Sequence, residues 1–310
     1  MKLTLLSRSG REVAEFDIAD DATVDDLQAQ IQRLSKEKKL KGIKTDLYPA
    51  RQRLSIPAVE EKAKPVVLTV GKALSAFGLK TGDKLTLKDL GTQIGYQTVF
   101  FWEYFGPMVI FPMFLVFRKQ IYGADFEPSE TQLLATAYWM FHYFKRIVET
   151  YTVHSFSHAT MPIFNLFRNS GYYWGFAAMV AYFICHPFYT SPPLERVYAG
   201  LAAALLMQVC NLTTHINLAS LRAPGMKGYQ IPRGFGFNFI TCANYTFEIY
   251  GWFCFNIATQ SVMGVVFMCC GAGQMVIWAG QKHARLRKLF DGKDGKEKYP
   301  RRFVILPPFI

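Results

Sequence analysis

The sequence predicts a membrane all-α bundle of about six transmembrane helices over residues 91–310, preceded by a small α+β cytosolic domain over residues 1–90. Three observations carry this reading. Charge is unevenly spread: residues 1–95 hold 17 Lys and Arg with 13 Asp and Glu, whereas residues 98–281 hold 9 and 7. Residues 282–302 then hold nine basic residues against three acidic ones, so a basic tail closes the chain. Six apolar stretches approach the ~20 residues that a spanning helix needs. The loops between them alternate in Lys and Arg content, as the positive-inside rule requires. At 51% hydrophobic residues and net charge +12, composition alone would also suit a soluble domain, so the distribution decides.

The head is read first. "LTLLSRSGREVAEFDI" alternates around a Ser-Gly turn and predicts a β-hairpin. In "DDATVDDLQAQIQRL", Val24, Leu27, Ile31 and Leu34 fall at helical spacing, and Thr23 with Asp26 forms a capping-box pattern. "DLYPARQRLSI", "PVVLTV" and "DKLTLKDLG" add strand-like runs, and "RLSKEKKLKGIK" reads as a solvated loop. Hairpin, helix and further strands within about 90 residues resemble the ubiquitin-like β-grasp fold. No catalytic constellation is visible in it, which predicts a folded adaptor or cap. The start, "MKLTLLSRSG", has only a short apolar run, so no signal peptide is expected and the head is assigned to the cytosol.

The spans are expected near 98–117, 131–149, 172–190, 196–216, 237–257 and 261–281. With a cytosolic head, the far-side loops contain only Arg118, Lys119 and Arg196. The cytosolic loops contain Lys145, Arg146, Arg168, Arg222, Lys227, Arg233 and the basic tail. An even number of spans returns the C-terminus to the cytosol.

Polar residues then gather at one depth, near the cytosolic side. They are Glu103 in the first span, Tyr143, Lys145 and Arg146 in the second, Asn211 and His215 in the fourth with Arg222 beyond, and Asn244, Tyr245 and Glu248 in the fifth. A charge at mid-membrane costs ~2.5–3.5 kcal/mol on insertion scales, so a shared polar cavity is expected. At about 100° per residue, Asn211, His215 and Arg222 stay within about 40° of one another. Asn244 and Glu248 share a face at i, i+4.

The six cysteines all lie in the membrane body, at spacings that suit neither a disulfide framework nor a zinc site, and read as free thiols. His154 and His158 are a possible ligand pair, but the other four histidines form no second pair, so no metal is expected. The segment "VHSFSHATMPIFNLFRNS" reads instead as an interfacial amphipathic helix. Neither a G-x-G-x-x-G after a strand nor a P-loop is present. A phosphate-bearing cofactor would have to rely on side chains at span ends: Arg168, Arg222, Arg233, Lys282, His283 and Arg285. Each of these also reads as an ordinary positive-inside residue. The sequons at Asn211 and Asn244 lie inside predicted spans and are set aside.

Several motifs resemble a known family: "EYFGP", "HYFKRIVET", "HSFSHATMPIFNLFRNSGYYWGFAA", "HPFYT", "SLRAPG", "YQIPRGFGFNFITCANYTFEIYGW" and "YPRRFVILPPFI". They are similar to very-long-chain trans-2-enoyl-CoA reductases of the steroid 5-alpha-reductase family, with "RKLFDGKDGKEKYPRR" nearest the plant type. The resemblance covers nearly the whole chain. It implies a multi-pass endoplasmic-reticulum enzyme with cytosolic termini and active site. It implies NADPH as cofactor, a trans-2-enoyl-CoA as substrate, membrane lipid around the bundle, and the condensing enzyme, ketoreductase and dehydratase of elongation as partners, with no role for nucleic acid. It assigns chemistry to Glu103, Tyr143, Lys145 and Tyr245. It assigns cofactor contacts to Asn211, Arg222, Asn244 and Glu248, to which the basic side chains Arg146, Arg168 and His283 are added. The steroid enzymes carry an acid where His215 stands and Phe where Tyr245 stands.

Reduction of a conjugated double bond sends hydride to the β-carbon, builds enolate charge on the thioester oxygen, and requires a proton at the α-carbon. Tyr245 is expected to give that proton, with Glu103 and Tyr143 at the carbonyl. Lys145 would either tune a tyrosine or hold a phosphate. A membrane methyltransferase using S-adenosylmethionine and a non-catalytic scaffold of an elongation complex are the alternatives.

Overall fold

A computed structural model describes residues 1–43, 45–58, 65–156, 159–222 and 228–309. The chain divides into two compact units, Met1–Gly95 with His158–Asn165, and Tyr96–Ser157 with Leu166–Ile310.

The first unit is built on a mixed sheet. Strands β1 (Lys2–Ser7) and β2 (Glu12–Asp17) form the expected hairpin, Leu3 opposite Phe16. Helix α1 (Val24–Lys36) starts where the capping box placed it, with the Thr23 hydroxyl accepting from the Asp26 amide. Val24, Leu27 and Ile31 turn one apolar face inward. Strands β3 (Gln52–Ile56), β4 (Val66–Val67) and β5 (Lys84–Asp89) complete the order β2-β1-β5-β3-β4. β1 and β5 run parallel and the other pairs antiparallel. Leu3, Leu5, Leu54 and Leu85 meet α1 in the core. Arg51 grips Asp89 with two parallel hydrogen bonds, Nε to Oδ1 at 3.0 Å and Nη2 to Oδ2 at 2.5 Å. A separate two-stranded ribbon pairs β6 (Gln93–Gly95) with β7 (Thr160–Pro162), which draws residues 91–95 into this unit, past a boundary at residue 90.

The second unit is helical: α2 (Tyr96–Val116), the short α3 (Arg118–Tyr122), α4 (Glu130–Thr152), α5 (Phe164–Ile184), α6 (Leu194–Ser220), α7 (Ala243–Thr259) and α8 (Val262–Leu289). Three of these, α2, α6 and α8, are long and apolar enough to cross a membrane, the pattern of a membrane protein. The most extensive helix pair is α6 with α7, followed by α2 with α4. Gly200 makes the first possible: a Cβ there would lie 2.9 Å from the Ala258 Cβ. The core is dense in aromatics, with Phe111, Trp139, Tyr143 and Phe255 fully enclosed.

Several expected boundaries move. Among the described residues, the interfacial helix expected over 153–170 is helical only from Phe164: Val153 ends α4 and Thr160–Pro162 form β7. Pro162 holds Met161 in extended conformation, so α5 starts only after it. At its far end α5 stops at Ile184, before His186–Pro187, rather than running to 190. The fifth expected window began at 237, yet α7 begins at Ala243. The stretch before it is held otherwise: Ile240 forms a bridge with Phe303, which fixes residues 240–242 in a non-helical backbone. The end of the basic tail is not free in solvent. The Thr241 amide donates to the Phe303 carbonyl at 2.8 Å and the Cys242 amide to the Val304 carbonyl at 3.1 Å, with Ile305 fully buried. Chain-end carbonyls thus take up amide donors at the start of α7, groups that a helix cannot pair by itself.

Candidate active site

Five helices converge their polar stripes on one cavity of about 760 Å³ within the second unit. α2 brings Glu103 and Tyr104, α4 brings His142, Tyr143 and Arg146, α6 brings Asn211 and His215, and α7 brings Asn244, Tyr245, Glu248 and Trp252. α5 adds Arg168, Asn169, Tyr172 and Tyr173. The 3.6-residue period explains the selection: His142, Tyr143 and Arg146 lie on one side of α4, as do Asn244, Tyr245 and Glu248 on α7.

Behind the wall lies a charged network centred on Glu149, which is 1% exposed. Lys145 Nζ lies 2.8 Å from its Oε1. Arg146 Nη1 donates to its Oε2 at 2.6 Å, and His215 Nδ1 lies 3.1 Å from the same oxygen. From there the network reaches the cavity twice. Lys145 donates to Asn211 Oδ1 at 2.8 Å, and Asn211 Nδ2 donates to the Asn244 carbonyl at 2.9 Å. Arg146 Nη2 donates to the Tyr104 hydroxyl at 3.1 Å, and the Tyr104 ring lies 6.2 Å from that of Tyr143. On other walls, Asn169 donates to Glu103 Oε2 at 3.1 Å. The Trp252 indole donates to Glu248 Oε1 at 3.1 Å, which also faces His142 Nε2 at 3.4 Å.

Four polar atoms of residues that line the cavity are buried with no hydrogen-bond partner among the described residues: Nδ1 of His142, the hydroxyls of Tyr143 and Tyr172, and Oδ1 of Asn244. Buried polar atoms are nearly always paired, so unpaired ones at a cavity are places for a ligand's polar groups.

Of the expected site residues, Glu103, Tyr143, Arg146, Arg168, Asn211, Asn244, Tyr245 and Glu248 line this cavity. Lys145 stands one layer behind it, turned to Glu149 and Asn211. Arg222 and His283 are elsewhere. Arg222 lies past the end of α6 and donates to the Ser155 carbonyl. His283 Nδ1 lies 2.7 Å from the Thr241 hydroxyl, and its ring meets Tyr299 edge-on. His142, Glu149, Tyr104 and Asn169 were not singled out from sequence, whereas Trp252 follows Tyr245 and Glu248 at i, i+3, i+7. His142 and Glu149 could have been, since they fall at i−3 and i+4 from Lys145 on the same helix.

Glu149, His154 and His215 bring ligand-type atoms within 4.8 Å of one another. Both oxygens of Glu149 already face cations, Lys145 on one and Arg146 on the other. The His154–His158 pairing lies partly outside the described residues.

Comparison with known proteins agrees across the chain. The family description 3-oxo-5-alpha-steroid 4-dehydrogenase matches residues 159–310. A protein of Dictyostelium discoideum named very-long-chain enoyl-CoA reductase is 43% identical over 305 residues, covering 98% of this chain and 97% of that protein. A human protein named trans-2,3-enoyl-CoA reductase-like is 31% identical over 277 residues, covering 85% of this chain and 72% of its own. At that identity over nearly the full length, the chain belongs to the very-long-chain enoyl-CoA reductase family.

Proposed function

We propose that this chain reduces the 2,3 double bond of a very-long-chain trans-2-enoyl-CoA to the saturated acyl-CoA, the reduction of the fatty-acid elongation cycle, with NADPH as reductant. The observation that carries it is the meeting of Glu103, Tyr143 and Tyr245 on one cavity that also holds unpaired buried polar atoms.

The residues fit a dinucleotide. Asn211 and Asn244 present amides, Asn244 with an unpaired Oδ1, and Arg146 and exposed Arg168 offer charge for phosphate. Glu248 supplies an acceptor for a ribose or amide group. NADPH would supply the hydride that reaches the β-carbon. The chain's own groups do the rest. Tyr143, whose hydroxyl has no partner among the described residues, donates to the thioester oxygen as enolate charge develops, with Glu103 beside it. Tyr245 gives the α-carbon its proton. Lys145 acts through Asn211, as a positioning residue.

All six long helices are read as spans, with both termini and the site at the cytosolic face of the endoplasmic reticulum. Exposed apolar side chains on the three less apolar helices support this: Phe144 on α4, Phe183 on α5 and Phe253 on α7 are each at least half exposed and suit lipid. The parallel β1–β5 pair flanked by hairpin strands, with one helix, supports a ubiquitin-like head. The enzymes that make the enoyl-CoA are its natural partners.

The test is loss of NADPH absorbance with a trans-2-enoyl-CoA and the purified full-length chain. A steady rate with NADPH, and kcat/KM at least about tenfold lower with NADH, is expected, because a phosphate–Arg pair is worth ~1.5–3 kcal/mol. No oxidation of either nucleotide would overturn the reading.

A further inference from the structure

We propose that the acyl chain leaves the cavity sideways, between α5 and α8 into the bilayer, and that Gly271 sets the width of this exit. The inference rests on the enoyl-CoA reading above.

Size comes first. A cavity of about 760 Å³ is that of a site for one drug-sized molecule. A dinucleotide, a thioester and a very long acyl chain do not fit in it together. Part of the substrate must lie outside, and for an apolar chain the favourable outside is lipid.

Among the described residues the cavity wall is exposed at two places, polar at Arg168 on α5 and largely apolar along α8, and an apolar chain takes the second. α2 is sealed on α5 by Trp174, whose indole occupies the space over Gly106 and donates to the Trp102 carbonyl at 2.9 Å. α6 is sealed on α7 by the Gly200–Ala258 contact. α5 and α8 do touch, where Phe176 meets Phe267 with ring centroids 5.4 Å apart. Further along α8 they part. Cys270, Gln274 and Trp278, at i, i+4 and i+8, line the cavity and are also exposed, Trp278 by 50%. At the polar end Glu103 is 3% exposed, and Tyr143 and Asn211 are 1% exposed each. The cavity therefore opens along this stripe of α8, and α8 is one of the helices apolar enough to span. Cys270 to Trp278 lie in the middle of α8 (Val262–Leu289), which puts the opening at bilayer depth if α8 spans as proposed.

Gly271 sits on that edge. A Cβ there would lie 3.5 Å from the Tyr172 hydroxyl and 3.9 Å from Met275 Cε, in ordinary contact. Any longer side chain must press on Tyr172 or project along the cavity edge that Gly271 lines. Gly273, two residues on, has nothing within 4 Å and does not line the cavity.

The experiment measures kcat/KM of the full-length chain in lipid nanodiscs with a twenty-carbon and a four-carbon trans-2-enoyl-CoA. In Gly271→Leu, the ratio of long to short is expected to fall about ten- to a hundredfold, the range that hydrophobic fit commands. In Gly273→Leu the ratio stays at the wild-type value. An unchanged ratio in Gly271→Leu, or an equal fall in Gly273→Leu, overturns the exit. If Gly271→Leu fails to fold, Gly271→Ala decides: a smaller fall in the same ratio supports the exit, and no fall overturns it. A wild-type chain that oxidises NADPH with neither substrate refutes the enoyl-CoA reading, and the exit falls with it.

Discussion

Tyr245→Phe separates chemistry from architecture at a single atom. Tyr245 lies in the first turn of α7, on the cavity wall, with its ring 6.5 Å from that of Trp278. Its hydroxyl makes no hydrogen bond within the described residues. Replacing it by phenylalanine keeps the ring and its packing and removes no protein contact. The stability change should stay within about 0.5 kcal/mol, as for substitutions that break nothing. A structural hydroxyl would cost about 0.5–1.5 kcal/mol instead. If the hydroxyl is the positioned acid, kcat should fall ~10²–10⁴-fold. At ~1.36 kcal/mol per decade that is about 2.7–5.4 kcal/mol of transition-state stabilisation, well above any effect on folding. NADPH oxidation with a twenty-carbon substrate gives kcat, nucleotide titration gives affinity, and thermal unfolding in the same detergent gives stability. Turnover within about threefold of wild type would refute the assignment. So would a loss of turnover that merely tracks a loss of fold.

Glu248→Gln turns an acceptor that serves Trp252 and faces His142 partly into a donor, and should weaken NADPH about tenfold or more in titration while kcat at saturation changes less. Glu149→Gln keeps the shape but leaves Lys145 and Arg146 buried beside a neutral amide, and should cost ~3–5 kcal/mol, read as a large fall in thermal midpoint; an unchanged midpoint would discount the network. In the head, the Arg51 guanidinium holds the Asp89 carboxyl below its ordinary value. A depressed folded pKa stabilises above the unfolded value, about 3.9, and the gain is lost as pH falls through the folded value. Asp89→Asn should therefore cost the head up to about 1 kcal/mol at neutral pH, with the gap closing below about pH 4; a constant gap at every pH would deny the ion pair.

What was legible in the sequence was what local periodicity carries. The hairpin and the capped α1 are short-range patterns, and Thr23 with Asp26 sits where the signature put it. The parallel pairing of β1 with β5 spans most of the head and leaves no local mark. In the bundle, polar residues in apolar context announced the stripes on α4, α6 and α7. The stripe on α5 stayed hidden, because Asn169 lay outside the span expected over 172–190, and Tyr172 and Tyr173 at its edge are at home in a membrane interface. Lys145 was read into the chemistry from the resemblance, as the lysine of the pattern that also holds Tyr143, but helical phase turns it to Glu149 and Asn211 behind the wall. Arg222 and His283 were read in from charge and resemblance, and charge alone does not say where a residue beyond a helix end, or late in α8, will point.

Glu149 explains how these stripes are held. Its two oxygens divide the work. Oε1 faces Lys145, which fixes Asn211, which in turn holds the Asn244 carbonyl one residue before Tyr245. Oε2 takes Arg146, which holds the Tyr104 hydroxyl beside the ring of Tyr143. One buried carboxylate thus stands at the fork of two hydrogen-bonded chains that end next to the two tyrosines assigned to the chemistry. An isolated charge at this depth would be costly, yet each charge here is within hydrogen-bond distance of its opposite, which is the condition under which buried ions persist. The arrangement implies two distinct signatures. Loss of Glu149 should lower stability and turnover together, since both chains lose their anchor. Loss of the Tyr245 hydroxyl should lower turnover alone. If Glu149→Gln kept its stability and lost only turnover, the carboxylate would have to act on the reaction itself, and the division between a cavity wall and a supporting layer behind it would be wrong.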